Sequence, residues 1–352
     1  MGNPKNKTIG IVGGGQLGRM TILEARKMDI RVIVLTPEHP SPASDIADDY
    51  IIGSLYDEDK IRELASKCDI LTYEIEHINV AVLEEIEKSG KIVNPSAKVL
   101  KVIQDKSKQK ALLQANNLPT SNWDYINNDN LKDMINKYGY PVVQKSCTGG
   151  YDGKGVFVLK SEADIPNMIK GESFFEEYVP FEKEIAIMVA RNARGQVKTY
   201  PLVDMEFDPT TNMCDITVCP AKVSKEVEEK AKEIATKAIE ALDGYGIFGV
   251  EMFLTKDGEI LINEVAPRPH NSGHYTIEGC YTSQYEQYLR AIMNLPLGAT
   301  NYIKPNVMIN LFGEVGYSGE TLVEGFDEAL EIASKLDQIK EQYVVGLSDS
   351  WF

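Results

Sequence analysis

Between Lys145 and Gly155 the chain reads Lys-Ser-Cys-Thr-Gly-Gly-Tyr-Asp-Gly-Lys-Gly, with four glycines in its last seven residues. Glycine opens backbone conformations closed to other residues and lets successive N–H groups turn toward one anion. The stretch follows the short apolar run Pro141-Val142-Val143, so Lys145 leaves a strand just before the loop. A lysine in that place reaches the phosphates of a bound nucleotide. The same glycines suit a surface hairpin, and alone they do not choose between the two. Tyr151 and Asp152 in the middle are not typical linker residues, so the rest of the chain must decide.

At 352 residues the chain has room for two or three domains and a sizeable core. Its composition, 43% hydrophobic and 26% charged, is that of an ordinary globular protein. A net charge of −16 argues against nucleic-acid binding and attraction to anionic membranes, so an anionic substrate needs a locally basic pocket. The five cysteines (Cys68, Cys147, Cys214, Cys219, Cys280) are scattered without a Cys-x-x-Cys pair, which indicates neither a zinc site nor a disulfide framework. The N-terminus is polar and no run of about 18 apolar residues occurs. A soluble, cytoplasmic protein is expected.

Thr8–Val12 reads as a buried strand running into Gly13-Gly14-Gly15-Gln16-Leu17-Gly18 and a helix over 20–28. Gly13, Gly15 and Gly18 have the dinucleotide spacing, but the next strand, 31–35, ends in Leu35-Thr36-Pro37 rather than in a ribose-binding acid. What remains is a helix N-terminus with open N–H groups, suited to an anion or polar ligand. A strand at 69–73 ends in Glu74-Ile75-Glu76-His77, where open α/β sheets bind ligands; if the strand continues, only one of the two acids faces the crevice. Alternating strands and helices continue to about Pro95. Residues 98–116, with Lys101, Asp105, Lys106, Lys108 and Lys110, read as one solvated connecting helix.

A second pattern of short strands follows Pro119 and includes the glycine loop. Phe174-Phe175-Glu176-Glu177-Tyr178-Val179-Pro180, with Glu184 opening the next apolar strand, suits a hinge between two lobes. Backbone groups there pair with a base, and a carboxylate holds sugar hydroxyls. A third unit has a strand at 200–203, an amphipathic helix at about 224–242, and strands 248–253 and 259–264 around the Asp257-Gly258 turn. Counted back from that turn, Glu251 and Glu264 fall near each other. Buried carboxylates need a cation, and magnesium accepts one or two carboxylates together with substrate phosphates. A lysine-bearing glycine loop and a two-acid hairpin together make an ATP–magnesium site. Beyond it, His270 and His274 have an i,i+4 spacing, but Pro269 and Gly273 oppose a helix. Arg268 and His270 in a proline-bounded loop suit an anionic substrate or intermediate.

The motifs Gly-Gly-Gly-Gln-Leu-Gly-Arg-Met (13–20), Glu-Ile-Glu-His (74–77), Gly-Gly-Tyr-Asp-Gly-Lys-Gly (149–155), Glu-Glu-Tyr-Val-Pro-Phe (176–181) and Asn-Glu-Val-Ala-Pro-Arg-Pro-His-Asn-Ser-Gly-His (263–274) occur in this order. Together they resemble the N5-carboxyaminoimidazole ribonucleotide synthetases, ATP-grasp ligases of purine biosynthesis, over residues 8 to about 325. The resemblance implies a mixed α/β and α+β chain: a Rossmann-like pre-ATP-grasp domain (1–97), an ATP-grasp small lobe (98–178), a large lobe (179–298) and a C-terminal segment (299–352). It implies that ATP and bicarbonate form carboxyphosphate, which carboxylates 5-aminoimidazole ribonucleotide.

Residue by residue, the resemblance assigns Lys106, Lys145, Gly150, Gly153, Gly155 and Asn263 to ATP, Glu176 and Val179 to adenine, Glu184 to the ribose, and Glu251 and Glu264 to magnesium. Gln16, Leu17, Glu76, Tyr151, Asp152, Lys154, Arg268 and His270 fall to the ribonucleotide; Tyr151, Asp152, Lys154 and Arg268 are the expected catalytic set. A homodimer is implied as well. The chain departs from the family in lacking the His-x-Tyr-Gly-Lys and Arg-Lys-Met-Gly-His segments after residue 320, so its C-terminal segment is expected to be shortened and the holder of the substrate phosphate is left open. Two alternatives stay beside this reading: a formate-dependent glycinamide ribonucleotide transformylase-like ligase, and a catalytically impaired nucleotide-binding relative.

Overall fold

The computed structural model describes residues 7–150, 155–208 and 214–310. The first unit comprises β1 (Thr8–Val12), α1 (Gln16–Lys27), β2 (Arg31–Thr36), β3 (Asp49–Ile52), α2 (Glu58–Lys67), β4 (Ile70–Tyr73), α3 (Val80–Lys88) and β5 (Ile92–Val93). Its five strands are parallel in the order β3-β2-β1-β4-β5. Strands β1, β2 and β4 are near-continuous apolar runs because helices cover both faces of a parallel sheet. Val12, Leu35, Leu64, Leu71 and Leu83 fill one side, against α2 and α3.

The expected single helix over 98–116 is two helices, α4 (Ala97–Ile103) and α5 (Lys106–Ala115). The break follows from Asp105, whose carboxylate accepts from the Ser107 and Lys108 N–H groups and so starts a new helix. Nor is α5 solvated: Ser107, Gln109 and Lys110 are buried, and the Gln109 amide pairs with both backbone groups of Val265.

A four-stranded antiparallel sheet follows, made of β6 (Trp123–Ile126), β7 (Val142–Ser146), β8 (Val156–Leu159) and β9 (Ser173–Glu177) in the order β6-β9-β7-β8, with α6 (Leu131–Tyr138) between β6 and β7. The glycine loop joins β7 to β8, so it is a hairpin connection, its neck tied by Ser146 N–H to the Gly155 carbonyl at 2.9 Å.

The third sheet contains β10 (Phe181–Arg191), β11 (Val197–Thr199), β12 (Val203–Phe207) and β13 (Cys214–Cys219), then, after α7 (Lys225–Leu242), β14 (Gly246–Thr255) and β15 (Ile260–Ala266). Helices α8 (Thr276–Gly279) and α9 (Gln284–Ile292) precede its last strand, β16 (Asn306–Ile309). The order is β15-β14-β10-β12-β13-β16, with β11 beside β10. The strand expected at 200–203 starts instead at Val203, because Pro201 has no N–H for a ladder. Ile185, Ile187, Val250, Met252 and Ile262 pack against Ala231, Ile234, Ala238 and Leu242 of α7. On the other face α9 lies between this sheet and the first unit: Tyr288 Oη donates to the Tyr73 carbonyl at 3.0 Å, and Asn94 reaches the Ile292 carbonyl. The link Tyr178-Val179-Pro180 passes from the small sheet to the large one, as a hinge requires.

Asp105→Ala is expected to lower stability by about 1 kcal/mol through loss of the α5 cap, and Asp105→Asn by far less. Urea unfolding of the two variants checks this.

Candidate active site

On β10 and β14, alternate residues face α7, so Glu184 and Glu251 share the opposite face; Glu251 stands across from Ala186 and Glu184 from Phe253. Strand β15 supplies the second acid by a bulge. Leu254 pairs with Ile260, Phe253 with Leu261 and Met252 with Ile262, but Glu251 pairs with Glu264. Strict alternation would have set Asn263 opposite Glu251. The extra residue lets Asn263 and Glu264 both serve the cleft, as bulges beside functional sites do.

These carboxylates lack charge balance. Burial, then Glu264 and Glu184, push the Glu251 carboxyl up to about 8. Burial also pushes Glu184 up, to about 7. Glu264 would rise with burial too, but the Lys106 ammonium 2.5 Å away holds it below its ordinary range. Among the described residues no group of three or more His, Cys, Asp or Glu forms a protein-only metal cage. Two facing carboxylates short of positive charge fit magnesium, which takes its remaining ligands from water and phosphate.

Two lysines stand beside these acids, and a third meets Glu176 behind them. Lys106 opens α5, and its N–H bonds the Cys147 carbonyl at 2.8 Å, which fixes the helix start to the glycine loop. Lys145, next to last in β7, donates to Asn263 Oδ1 at 2.9 Å and pairs with Glu176 Oε2 at 2.6 Å. The Glu176 side chain is only 3% exposed, and its other oxygen meets Lys110 and the Ser121 hydroxyl. Burial alone would raise the Glu176 carboxyl, but Lys145 and Lys110 hold it at about 2. That carboxylate is therefore spent on lysines, and Glu176 itself stands between Trp123 of β6 and Val143 of β7. Val179 lies buried on the hinge two residues beyond the end of β9.

A second polar group adjoins the acids. His270 Nε2 lies 3.4 Å from Glu251 Oε1, and its ring rests against the backbone of Gly249, where a Cβ would collide with it. Burial, then Arg268, pull His270 down to about 3, so its imidazole is neutral at pH 7. His270 and His274 do not share a helix: His270 Nδ1 bonds the Ser272 hydroxyl, whereas His274 Nδ1 meets Gln284 and Tyr285. Arg268 Nε donates to Glu76 Oε2 at 2.8 Å. Strand β4 stops at Tyr73, so both acids after it are engaged. Glu76 takes Arg268, and Glu74, buried, accepts from the Gly15 and Gly18 N–H groups. The N-terminus of α1 is therefore not open, as expected, but filled by a carboxylate of the chain itself. Gly13, at φ 127°, has no room for a Cβ beside Glu74. Gln16 is buried with its Oε1 unbonded among the described residues, while Leu17 packs on Met20 and Tyr285.

The structure thus brings Lys106, Lys145, Asn263, Glu176, Glu184, Glu251, Glu264, Arg268, His270 and Glu76 into one run of polar contacts and neighbouring charges. Gly150 and Gly155 bound the loop; Tyr151, Asp152, Gly153 and Lys154 lie outside the described residues, as does the chain beyond residue 310. Sequence reasoning missed Lys110, Ser121 and the internal role of Glu74. The i,i+4 spacing of Lys106 and Lys110 was the available signal, since it puts both on one helix face.

A glycine loop on a small antiparallel sheet, a link to an acid-bearing large sheet, and a parallel α/β unit beside them define an ATP-grasp protein. The models for an ATP-grasp domain and a ribonucleotide synthetase preATP-grasp domain match residues 111–285 and 6–104. The crystal structure of N5-carboxyaminoimidazole ribonucleotide synthetase from Thermotoga maritima is 48% identical and superposes with a TM-score of 0.85 over 93% of this chain and 86% of that one. The N5-carboxyaminoimidazole synthase from Aspergillus clavatus, solved in complex with ADP and 5-aminoimidazole ribonucleotide, is 35% identical with a TM-score of 0.85, over 94% and 87% of the two chains. Phosphoribosylaminoimidazole carboxylase of Ogataea methanolica is 41% identical over 329 residues, 90% of this chain, which spans only 60% of that longer protein. This chain belongs to the N5-carboxyaminoimidazole ribonucleotide synthetase family.

Because Glu176 is held at about 2 against an ordinary 4.5, the stability it contributes is present above pH 4.5 and is lost as pH falls toward 2. Glu176→Gln should cost roughly 3 kcal/mol at pH 7, with the gap to wild type narrowing between pH 5 and pH 3 in urea unfolding.

Proposed function

We propose that the chain carboxylates 5-aminoimidazole ribonucleotide at the expense of ATP and bicarbonate, yielding N5-carboxyaminoimidazole ribonucleotide, ADP and phosphate. The observation that carries this reading is the continuity of the polar run, from lysines suited to a polyphosphate, past paired acids, to Arg268 and His270. In this reading Glu176 and Val179 take adenine and Glu184 the ribose. Lys106, Lys145, Asn263 and the loop at Gly150, Gly153 and Gly155 take the phosphates. Glu251 and Glu264 hold magnesium, which when bound would neutralise phosphate charge.

Bicarbonate oxygen attacks the γ-phosphorus as the bond to the β-phosphate oxygen breaks, and ADP leaves. Carboxyphosphate then cleaves at its carbon–oxygen bond to CO2 and phosphate. The exocyclic amine forms the new bond to carbon and gives its proton to the departing phosphate. Lys106 and Lys145, held beside the cleft by Glu264 and Glu176 before the nucleotide arrives, stabilise the charge on the transferred group. Arg268, His270, Glu76, Gln16 and Leu17 face the ribonucleotide in this account, with Tyr151, Asp152 and Lys154 brought by the loop. Among the described residues no helix is long and apolar enough to cross a membrane, which is compatible with the cytoplasmic setting we propose. The assembly proposed is a homodimer.

Phosphate release should require ATP, magnesium, bicarbonate and 5-aminoimidazole ribonucleotide together, and chelation of the metal should abolish it. Release that instead depends on formate and glycinamide ribonucleotide would assign the chain to the transformylase-like ligases. ATP binding without release under either condition would mark an impaired relative. Arg268→Met is expected to raise the KM for the ribonucleotide by about tenfold or more while leaving that for ATP within about twofold, as loss of a charge-assisted contact to one substrate requires.

A further inference from the structure

Lys110 and Lys145 meet the same buried carboxylate but differ in what else they touch. Lys110 is 3% exposed, and its three N–H groups go to Thr120 Oγ1 at 2.7 Å, Ser121 Oγ at 2.8 Å and Glu176. Thr120 is in turn anchored to the Ile262 carbonyl at 2.8 Å. Every donor of Lys110 is therefore spent inside the protein, where no ligand reaches it. Lys145 has two partners, Glu176 and Asn263, and its side chain borders the cleft that holds Glu184, Glu251 and Glu264. Two cations on one carboxylate give an excess of one positive charge, and an arriving anion draws on the lysine that can turn toward it. If Glu176 had only Lys145, that transfer would strand a buried carboxylate without a counter-ion, which is strongly unfavourable.

We propose that Lys110 is a positioning residue of the nucleotide site, remaining on Glu176 so that Lys145 can leave that carboxylate for the nucleotide phosphates. This rests on reading the cleft as an ATP site. It differs from a merely structural role because it acts through the phosphates and not through the base.

The test compares ADP, with magnesium, and adenosine as ligands of the wild-type chain and of Lys110→Met, using calorimetry for ADP and saturation-transfer NMR for adenosine. The variant should bind ADP about tenfold more weakly or worse, as breaking a buried charge pair implies, with adenosine unchanged within about twofold. ADP binding to the variant should also take up a proton, read from calorimetry in two buffers of different ionisation enthalpy, because the stranded Glu176 protonates. Equal weakening of both ligands, or unchanged ADP affinity, overturns the proposal. Should Lys110→Met fail to fold, Ser121→Ala, which loosens Lys110 and takes one hydroxyl from Glu176 while leaving both lysines in place, is put to the same two ligands, with a smaller loss confined to ADP expected and a loss shared with adenosine overturning it. A wild-type chain that binds neither ligand would overturn the nucleotide reading itself, and this inference with it.

Discussion

The carboxylate of Glu176 joins three elements that are far apart in sequence: β9, which carries it, α5 through Lys110 and β7 through Lys145. A buried lysine without a partner is costly, and so is a buried carboxylate, so each side of this junction holds the other in place. From Lys145 the arrangement passes by Asn263 to the large sheet, and from Lys106 by Glu264 to the same bulge. The glycine loop is thus mounted on a rigid charged base, while its own backbone stays glycine-permissive: Gly149 and Gly155 have φ of 77° and 81°.

The bulge in β15 is the second constraint. An unbroken strand would have presented Asn263 or Glu264 to the cleft, not both. With the extra residue, one side chain secures Lys145 and the next faces Glu251. Burial of these acids, and then their mutual repulsion, pushes the Glu251 carboxyl up to about 8. Such an arrangement is poor as a structural feature, which is what motivates the divalent-ion role proposed for it.

Much of this was legible in the sequence where local rules suffice. Glycine spacing, the Asp257-Gly258 turn and the apolar runs of β1, β2 and β4 follow from backbone sterics and strand periodicity, and they placed the parallel unit, the hairpin and the loop. The remainder depended on contacts that periodicity does not encode. A run of lysines reads as a solvated helix until a carboxylate 66 residues away in sequence meets Lys110. The glycines at 13, 15 and 18 read as an open anion site until Glu74 fills it. Asp105 looks like one more charge on a polar helix, yet it caps a new one and so aims Lys106 at the cleft. In the first two cases a buried polar group, whose need for a partner is non-local, overrode the local pattern; in the third a cap to the next turn did so.

In the function proposed, this charged run brings ATP, bicarbonate and an amine together for two successive group transfers. The direct measurement is 31P NMR of the phosphate released when the reaction is run with 18O-labelled bicarbonate, ATP, magnesium and 5-aminoimidazole ribonucleotide. If bicarbonate oxygen attacks phosphorus, the phosphate carries one 18O atom from bicarbonate. Phosphate free of label would mean that water, not bicarbonate, accepts the phosphoryl group, and would contradict the account.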